Sequence, residues 1–169
     1  MNPLNSTKGY TFIEISVVLF LIALMMGLII PRIHYSILTD NLKSSSRKLT
    51  GLINELREKA IEDQKPVILH FDLGLNKFWS DSPDMNEEEL LFARENATSL
   101  PSGVRVLDVW FRGKGKIMNG VAAILFNKKG YVQKSAIHLG CDDNREFTLL
   151  LSPFLLKVEI FDKYVDFED

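Results

Sequence analysis

The stretch Lys8-Gly9-Tyr10-Thr11-Phe12-Ile13-Glu14-Ile15 opens an apolar run that continues almost unbroken to Ile30. A basic residue and then a small one, Gly9, end a short polar leader, and a carboxylate, Glu14, sits inside the first turns of the run. A secretory signal places its small-residue cleavage site after the apolar region, which is then discarded. Here the small residue stands before it. A cut after Gly9 would keep the apolar segment as a new amino terminus beginning at Tyr10.

As a helix rising about 1.5 Å per residue, Phe12 to Ile30 would span about 28 Å, close to the hydrocarbon thickness of a bilayer. Tyr10 and Tyr35 flank it, where amphipathic rings prefer to lie. Gly27 and Pro31 weaken a helix in water, but a membrane span tolerates both. Glu14 needs an account, because an ionised carboxylate at membrane depth costs about 2.5–3.5 kcal/mol on insertion scales. Lying near the end of the span, it either snorkels towards the headgroups or meets a pairing charge.

In order, Gly9, Tyr10, Thr11, Phe12, Ile13 and Glu14 resemble the processing motif of the type IV pilin-like proteins, a family that includes the type II secretion pseudopilins. Tyr10 stands where Phe or Met is more usual and Phe12 where Leu is, and both keep the position apolar. Pro31 falls where the family often carries a helix-breaking proline. The motif match covers residues 8 to 31. The resemblance implies a leader, residues 1–9, removed between Gly9 and Tyr10 by a prepilin peptidase and methyltransferase that also N-methylates Tyr10. It implies that Glu14 of an incoming subunit neutralises the amino terminus of its neighbour in a packed helical array. Other pseudopilins, the inner-membrane secretion platform and membrane lipid are the partners it implies. The chain would then cross the bacterial inner membrane once, with its C-terminal domain in the periplasm. The positive-inside rule points the other way, because Arg32, Lys43, Arg47 and Lys48 follow the span. Four basic residues spread along a helix are a weak topogenic signal, so the resemblance sets the orientation.

Beyond the span, Leu42, Leu49, Leu52, Ile53, Leu56 and Ala60 recur at threes and fours and make one apolar helical stripe. Lys43, Arg47, Lys48, Arg57 and Lys59 alternate with Glu55, Glu58, Glu62 and Asp63 on what reads as a solvated face. Pro66 is expected to stop this helix, which with the span would make one helix of about 50 residues. Strands are then expected over 67–71, 77–79, 104–111, 120–126, 131–139, 146–151 and 156–161. A polar insertion over 80–102 carries a short helix around 86–95. Asp72 to Asn76 reads as a turn, Asn127-Lys128-Lys129-Gly130 as a hairpin turn, and Asp142-Asp143-Asn144 as a third turn. Short strands joined by turns imply an antiparallel sheet. The expected class is therefore α+β: a long N-terminal membrane-spanning helix packed on a small antiparallel β-rich domain, pilin-like in form. Its parts are the leader (1–9), the transmembrane and polymerisation helix (10–31), the outer half of the long helix (32–65) and the β-rich domain (66–169). Leu125 to Gly130, Ala136 to Leu139 and Thr148 to Ser152 also resemble the domain of H-type minor pseudopilins, with Ser152-Pro153-Phe154-Leu155-Leu156 where that group often has a Gly-containing hairpin.

Composition narrows the chemistry. The 169 residues allow one domain of about 130 residues beside an anchor. A net charge of -2 gives no electrostatic argument for nucleic acid, and none is expected as a partner. One cysteine excludes an internal disulfide framework; Cys141 is either a buried small hydrophobe, the favoured reading, or an exposed thiol. His34, His70 and His138 are scattered, so no zinc spacing exists and no cofactor is expected. Asp142, Asp143 and Asn144 offer oxygens to calcium but lack a spaced loop with a terminal Glu, so a solvated turn is the better reading. Lys114, Lys116, Lys128, Lys129 and Lys134, with Trp110 and Tyr131, form either a basic patch or edge lysines that discourage strand pairing, the second being favoured. Asp108, Asp142 and Glu146 have no partnered His or Lys at telling spacing, so no catalytic constellation is expected. The function the resemblance implies is structural: a minor pseudopilin of the periplasmic pseudopilus in type II protein secretion. The alternative within the family is a type IV minor pilin that primes pilus assembly or DNA uptake. The alternative outside it is a membrane-anchored periplasmic enzyme or binding protein using the span as a tether.

Overall fold

The computed structural model describes residues 10–155 and 157–168, with the backbone alone over 27–40. The chain divides into two compact units, Met1–Ile37 and Leu38–Asp169. Helix α1 (Phe12–Glu62) has 51 residues and is assigned without interruption through position 31. In the first unit its large apolar side chains stand exposed on every side, from Phe12 at 89% and Val17 at 52% to Phe20 at 66% and Met26 at 60%. Among the described residues no helix is long and apolar enough to cross a membrane. The expected span runs to Ile30 and so extends past Met26, where described side chains end.

In the second unit the expected stripe of α1 is the buried one. Leu42, Leu49, Ile53, Leu56 and Ala60 are buried, and Leu52 is partly so. The expectation fails at Arg57, which is not on the solvated face but 4% exposed, its stem sharing the buried side with Leu56 and Ala60. Four residues before Pro66 the helix already ends at Glu62. Gln64 takes a left-handed φ of 53° and its side-chain amide donates to the Ile61 carbonyl at 2.6 Å.

Among the described residues nine strands form two antiparallel sheets. The first, in order β3-β2-β1-β6, joins β1 (Val67–Asp72), β2 (Lys77–Asp81), β3 (Thr98–Ser99) and β6 (Val121–Phe126). The second, in order β5-β4-β7-β8-β9, joins β4 (Val104–Phe111), β5 (Gly115–Ile117), β7 (Ser135–Cys141), β8 (Glu146–Leu151) and β9 (Glu159–Phe161). The expected short helix is α2 (Glu87–Glu95), capped by a reciprocal pair between Asn86 and Glu89, each side chain accepting from the other's backbone N–H at 2.9 Å. β1 and β6 show strict alternation, which is what sends Val67, Leu69 and Phe71 with Ala122, Ile124 and Phe126 into the core. From the second sheet Val104, Val106, Val109, Phe111, Ile137, Leu139, Leu149 and Leu151 complete one continuous cluster with the α1 stripe.

Three expectations about strands need correction. Asn127-Lys128-Lys129-Gly130 does turn the chain: Asn127 Oδ1 accepts from Lys129 N–H at 2.9 Å and Tyr131 N–H at 3.0 Å, and Gly130 has a φ of 76°. It is no hairpin between neighbouring long strands, however, because the strand expected from 131 begins only at Ser135 and lies in the other sheet. Across the turn the chain pairs only locally, through the Phe126↔Val132 bridge and the Asn127 N–H donating to the Tyr131 carbonyl at 3.0 Å. The last strand starts at Glu159 rather than 156, and the short strands β3 and β5 carry too few residues to show a period.

A register shift in β4 between Val106 and Asp108 places Leu107 out of step with β7. An extra residue inverts the alternation beyond it. Val104 and Val106 point to the core before the shift, and Val109 and Phe111 after it. Asp108 and Trp110 are thereby sent to the opposite face. Leu107 folds over Gly140, where an added Cβ would lie 2.7 Å from its methyl carbon.

Candidate functional site

The residues expected to carry processing and pairing begin at Gly9, which lies outside the described residues. Tyr10 is 81% exposed just ahead of α1. Thr11 is the helix N-cap and Glu14 the third helical residue, in the T-x-x-E spacing of a capping box. Thr11 N–H donates to Glu14 Oε2 at 3.4 Å, and Glu14 N–H donates to Thr11 Oγ1 at 3.4 Å. The carboxylate thus sits at the positive end of the helix, beside N–H groups that have no partner within it. The T-x-x-E spacing was in the sequence, and it gives Glu14 a role within one subunit that membrane depth alone does not. At 3.4 Å the bond that the carboxylate accepts is long, so the carboxylate can exchange it for a stronger partner. The side chain of Pro31 lies outside the described residues.

A second cluster was invisible as spacing. On the outer face of the second sheet, His138 Nδ1 lies 2.7 Å from Asp108 Oδ1 and its Nε2 lies 2.9 Å from the Val165 carbonyl. Tyr164 Oη donates to Asp108 Oδ2 at 2.9 Å, and its ring stacks on His138 at 4.0 Å. Thr148 Oγ1 donates to the Lys163 carbonyl at 2.8 Å and accepts from Val165 N–H at 3.0 Å. Trp110, Ala136 and Leu150 receive Phe161 and Phe167 alongside. These contacts bind the irregular tail after β9 across the sheet. Burial pushes the Tyr164 hydroxyl up, and Asp108 adds to the rise while Lys116 opposes it. Lys116 Nζ lies 2.8 Å from Asp166 Oδ1 and holds that carboxyl below its ordinary range; the same contact raises the Lys116 ammonium.

Asp108, His138 and Tyr164 are the residues of a proton relay, but the geometry is that of a clamp. His138 is 0% exposed and both ring nitrogens are engaged, so neither faces a substrate. The lysines do not gather into one patch: Lys116 is held by Asp166, and Lys134 lies 5.8 Å over the Phe167 ring. Trp110 is 2% exposed and unavailable to a ligand, whereas Tyr131 is half exposed beside Phe154. Cys141 is buried, as favoured. In the 142–144 turn Asp143 is occupied by Arg145, whose Nε donates to Oδ2 at 2.7 Å and whose guanidinium holds the carboxyl below its usual range. His70 Nε2 stands 2.9 Å from Asp81 Oδ2, and its ring stacks on Trp79 at 5.0 Å. Among the described residues no group of three His, Cys, Asp or Glu side chains could hold a metal ion.

In the second unit, a helical segment sharing one apolar core with two antiparallel sheets is a fold that solved minor pseudopilin structures also have. The likeness is to the minor pseudopilin EpsH from the type 2 secretion system of Vibrio cholerae, with a TM-score of 0.51 and 12% identity over 73% of this chain and 98% of that one. A second solved structure of the V. cholerae EpsH pseudopilin is 15% identical over 68% of this chain and 95% of its own, with a TM-score of 0.46. At these identities the likeness is one of fold. No family model matches the chain, and no curated protein matches it by sequence.

Proposed function

We propose that the protein is a minor pseudopilin: a structural, non-enzymatic subunit of the periplasmic pseudopilus of a type II secretion system. The observation that carries this reading is the bare helix start, where Phe12, Leu19, Phe20 and Met25 are each more than half exposed on a helix belonging to an EpsH-like fold. A surface of that kind is stable only in lipid or against other such helices. The apolar run to Ile30 serves as the inner-membrane anchor before assembly and as the packing core of the filament after it. A prepilin peptidase cuts between Gly9 and Tyr10, and Tyr10 is N-methylated. The Glu14 carboxylate then exchanges its long capping bond for the α-amino group of a neighbouring pseudopilin, a charge-assisted pairing that a low dielectric strengthens. Pro31 is the helix break at the end of the span. The domain from residue 38 stands in the periplasm, and the secretion platform in the inner membrane feeds the subunit into the filament.

Intact-mass measurement of the protein from its native host tests this reading. The expected mass is that of a chain starting at Tyr10 with one added methyl group, and Gly9→Leu leaves the leader attached. A mature chain that retains residues 1–9 overturns it.

A further inference from the structure

Edges are where a β-sheet exposes unpaired backbone, and proteins keep such edges short. Three of the four edges here obey: β3 has two residues, and β5 and β9 have three each. β6 has six, Val-Ala-Ala-Ile-Leu-Phe, with no charge among them. The Leu73 N–H donates to the Gly120 carbonyl at 3.0 Å, which fixes the alternation. Gly120, Ala122 and Ile124 direct their backbone groups to β1, and Val121 and Ala123 direct theirs away. No backbone group among the described residues meets those of Val121 and Ala123; the Phe126↔Val132 bridge closes only the far end of the strand. The side chains of Val121 and Leu125 are 42% and 50% exposed on the outer face.

The chain around this edge is one-signed. From Val109 to Cys141 there is no Asp or Glu, while Lys128 and Lys129 stand exposed in the loop that leaves β6, and Arg112 and Lys114 stand exposed in the β4–β5 turn. We propose that β6 is a docking edge for an extended, acidic segment of a partner protein, added to the first sheet as its fifth strand. Only extended backbone presents donors and acceptors at the spacing that Val121 and Ala123 leave open, so a helix cannot satisfy them. Alternate apolar residues of the added strand cover Val121 and Leu125, and its carboxylates face the lysines.

The test uses the full-length protein in detergent micelles and a synthetic peptide, DEVTVTV, followed by amide hydrogen exchange at single residues. The expected result is at least tenfold slower exchange at Val121 and Ala123 with DEVTVTV and no change with DEVPVPV, whose prolines lack the donors. Val121→Glu, on an exposed side chain that the fold does not use, abolishes the protection by repelling the acidic strand. Equal protection by KKVTVTV, or unchanged exchange at millimolar DEVTVTV, overturns the proposal. So does protection that is present without peptide and grows with protein concentration, which assigns the edge to a second copy. Shifts at Lys128 and Lys129 with duplex DNA, in the absence of any peptide effect, overturn it in favour of nucleic acid.

Discussion

His138 meets a carboxylate through one ring nitrogen and a carbonyl through the other, an arrangement that suits an imidazolium donating from both beside an ionised Asp108. Such a pair gains little over apolar packing, but removing one partner leaves a charge buried alone. Asp108→Asn is therefore expected to cost about 3–5 kcal/mol, read as a drop in the urea midpoint. A loss below about 1 kcal/mol would mean that the tail is held without the pair. Nearby, Asp166 gives a pH dependence whose sign is set by its depressed pKa. A carboxyl lowered on folding contributes stability above its unfolded value of about 3.9 and loses it as pH falls through the folded one. Acid release of the tail, followed by Trp110 fluorescence in a Trp79→Phe background, is expected below the ordinary carboxylate range. Lys116→Met should move that midpoint up towards the range, and an unmoved midpoint would remove Lys116 from the account. None of this was legible as sequence. Asp108 and His138 are 30 residues apart, and they face each other only because the extra residue at Leu107 turns Asp108 outwards.

At the scale of elements, periodicity served where one face meets water and the other the core. The α1 stripe from Leu42 to Ala60, the alternation of β1 and β6, and the turns at Asp72 and Asp142 were all readable for that reason. Buried on both faces, β7 has no alternation at all, with all seven residues buried, and its start was placed four residues early. The tail after β9 carries Asp162, Asp166 and Glu168, yet Tyr164 and Phe167 are what attach it. Arg57 was misplaced because a long stem can be buried while its residue type suggests solvent. The outer half of α1 contains one element of avoidable instability, Gly51. It is exposed in mid-helix, and an added Cβ meets nothing within 4 Å. Gly51→Ala is expected to stabilise the fold by about 0.5–1 kcal/mol, since glycine loses more backbone freedom on ordering. Thermal unfolding checks it, and a lower Tm for the variant would mean that another subunit's or the chain's own packing needs the bare backbone there.

For the whole molecule, the bare apolar helix start and the continuous core from Leu42 onward make separate demands on their surroundings. A chain beginning at Ile33 keeps every residue of that core and is expected to be soluble and to unfold cooperatively. Aggregation at all expression temperatures, or unfolding without a transition, would contradict that. The same soluble chain separates secretion from DNA capture. Sequence-independent duplex binding requires clustered Lys and Arg that displace counterions, so affinity falls steeply with salt. Here Lys116 is neutralised by Asp166, Lys134 lies over Phe167, and Asp162 and Glu168 add negative charge to the tail that crosses the same sheet. The remaining exposed cations fall in two separate turns, Arg112 and Lys114 between β4 and β5 and Lys128 and Lys129 after β6. Gel-shift titration at physiological salt is therefore expected to show no complex up to micromolar protein. A salt-sensitive micromolar complex would move a DNA-uptake minor pilin ahead of the secretion pseudopilin, because charge of that strength serves no purpose in packing one subunit against the next.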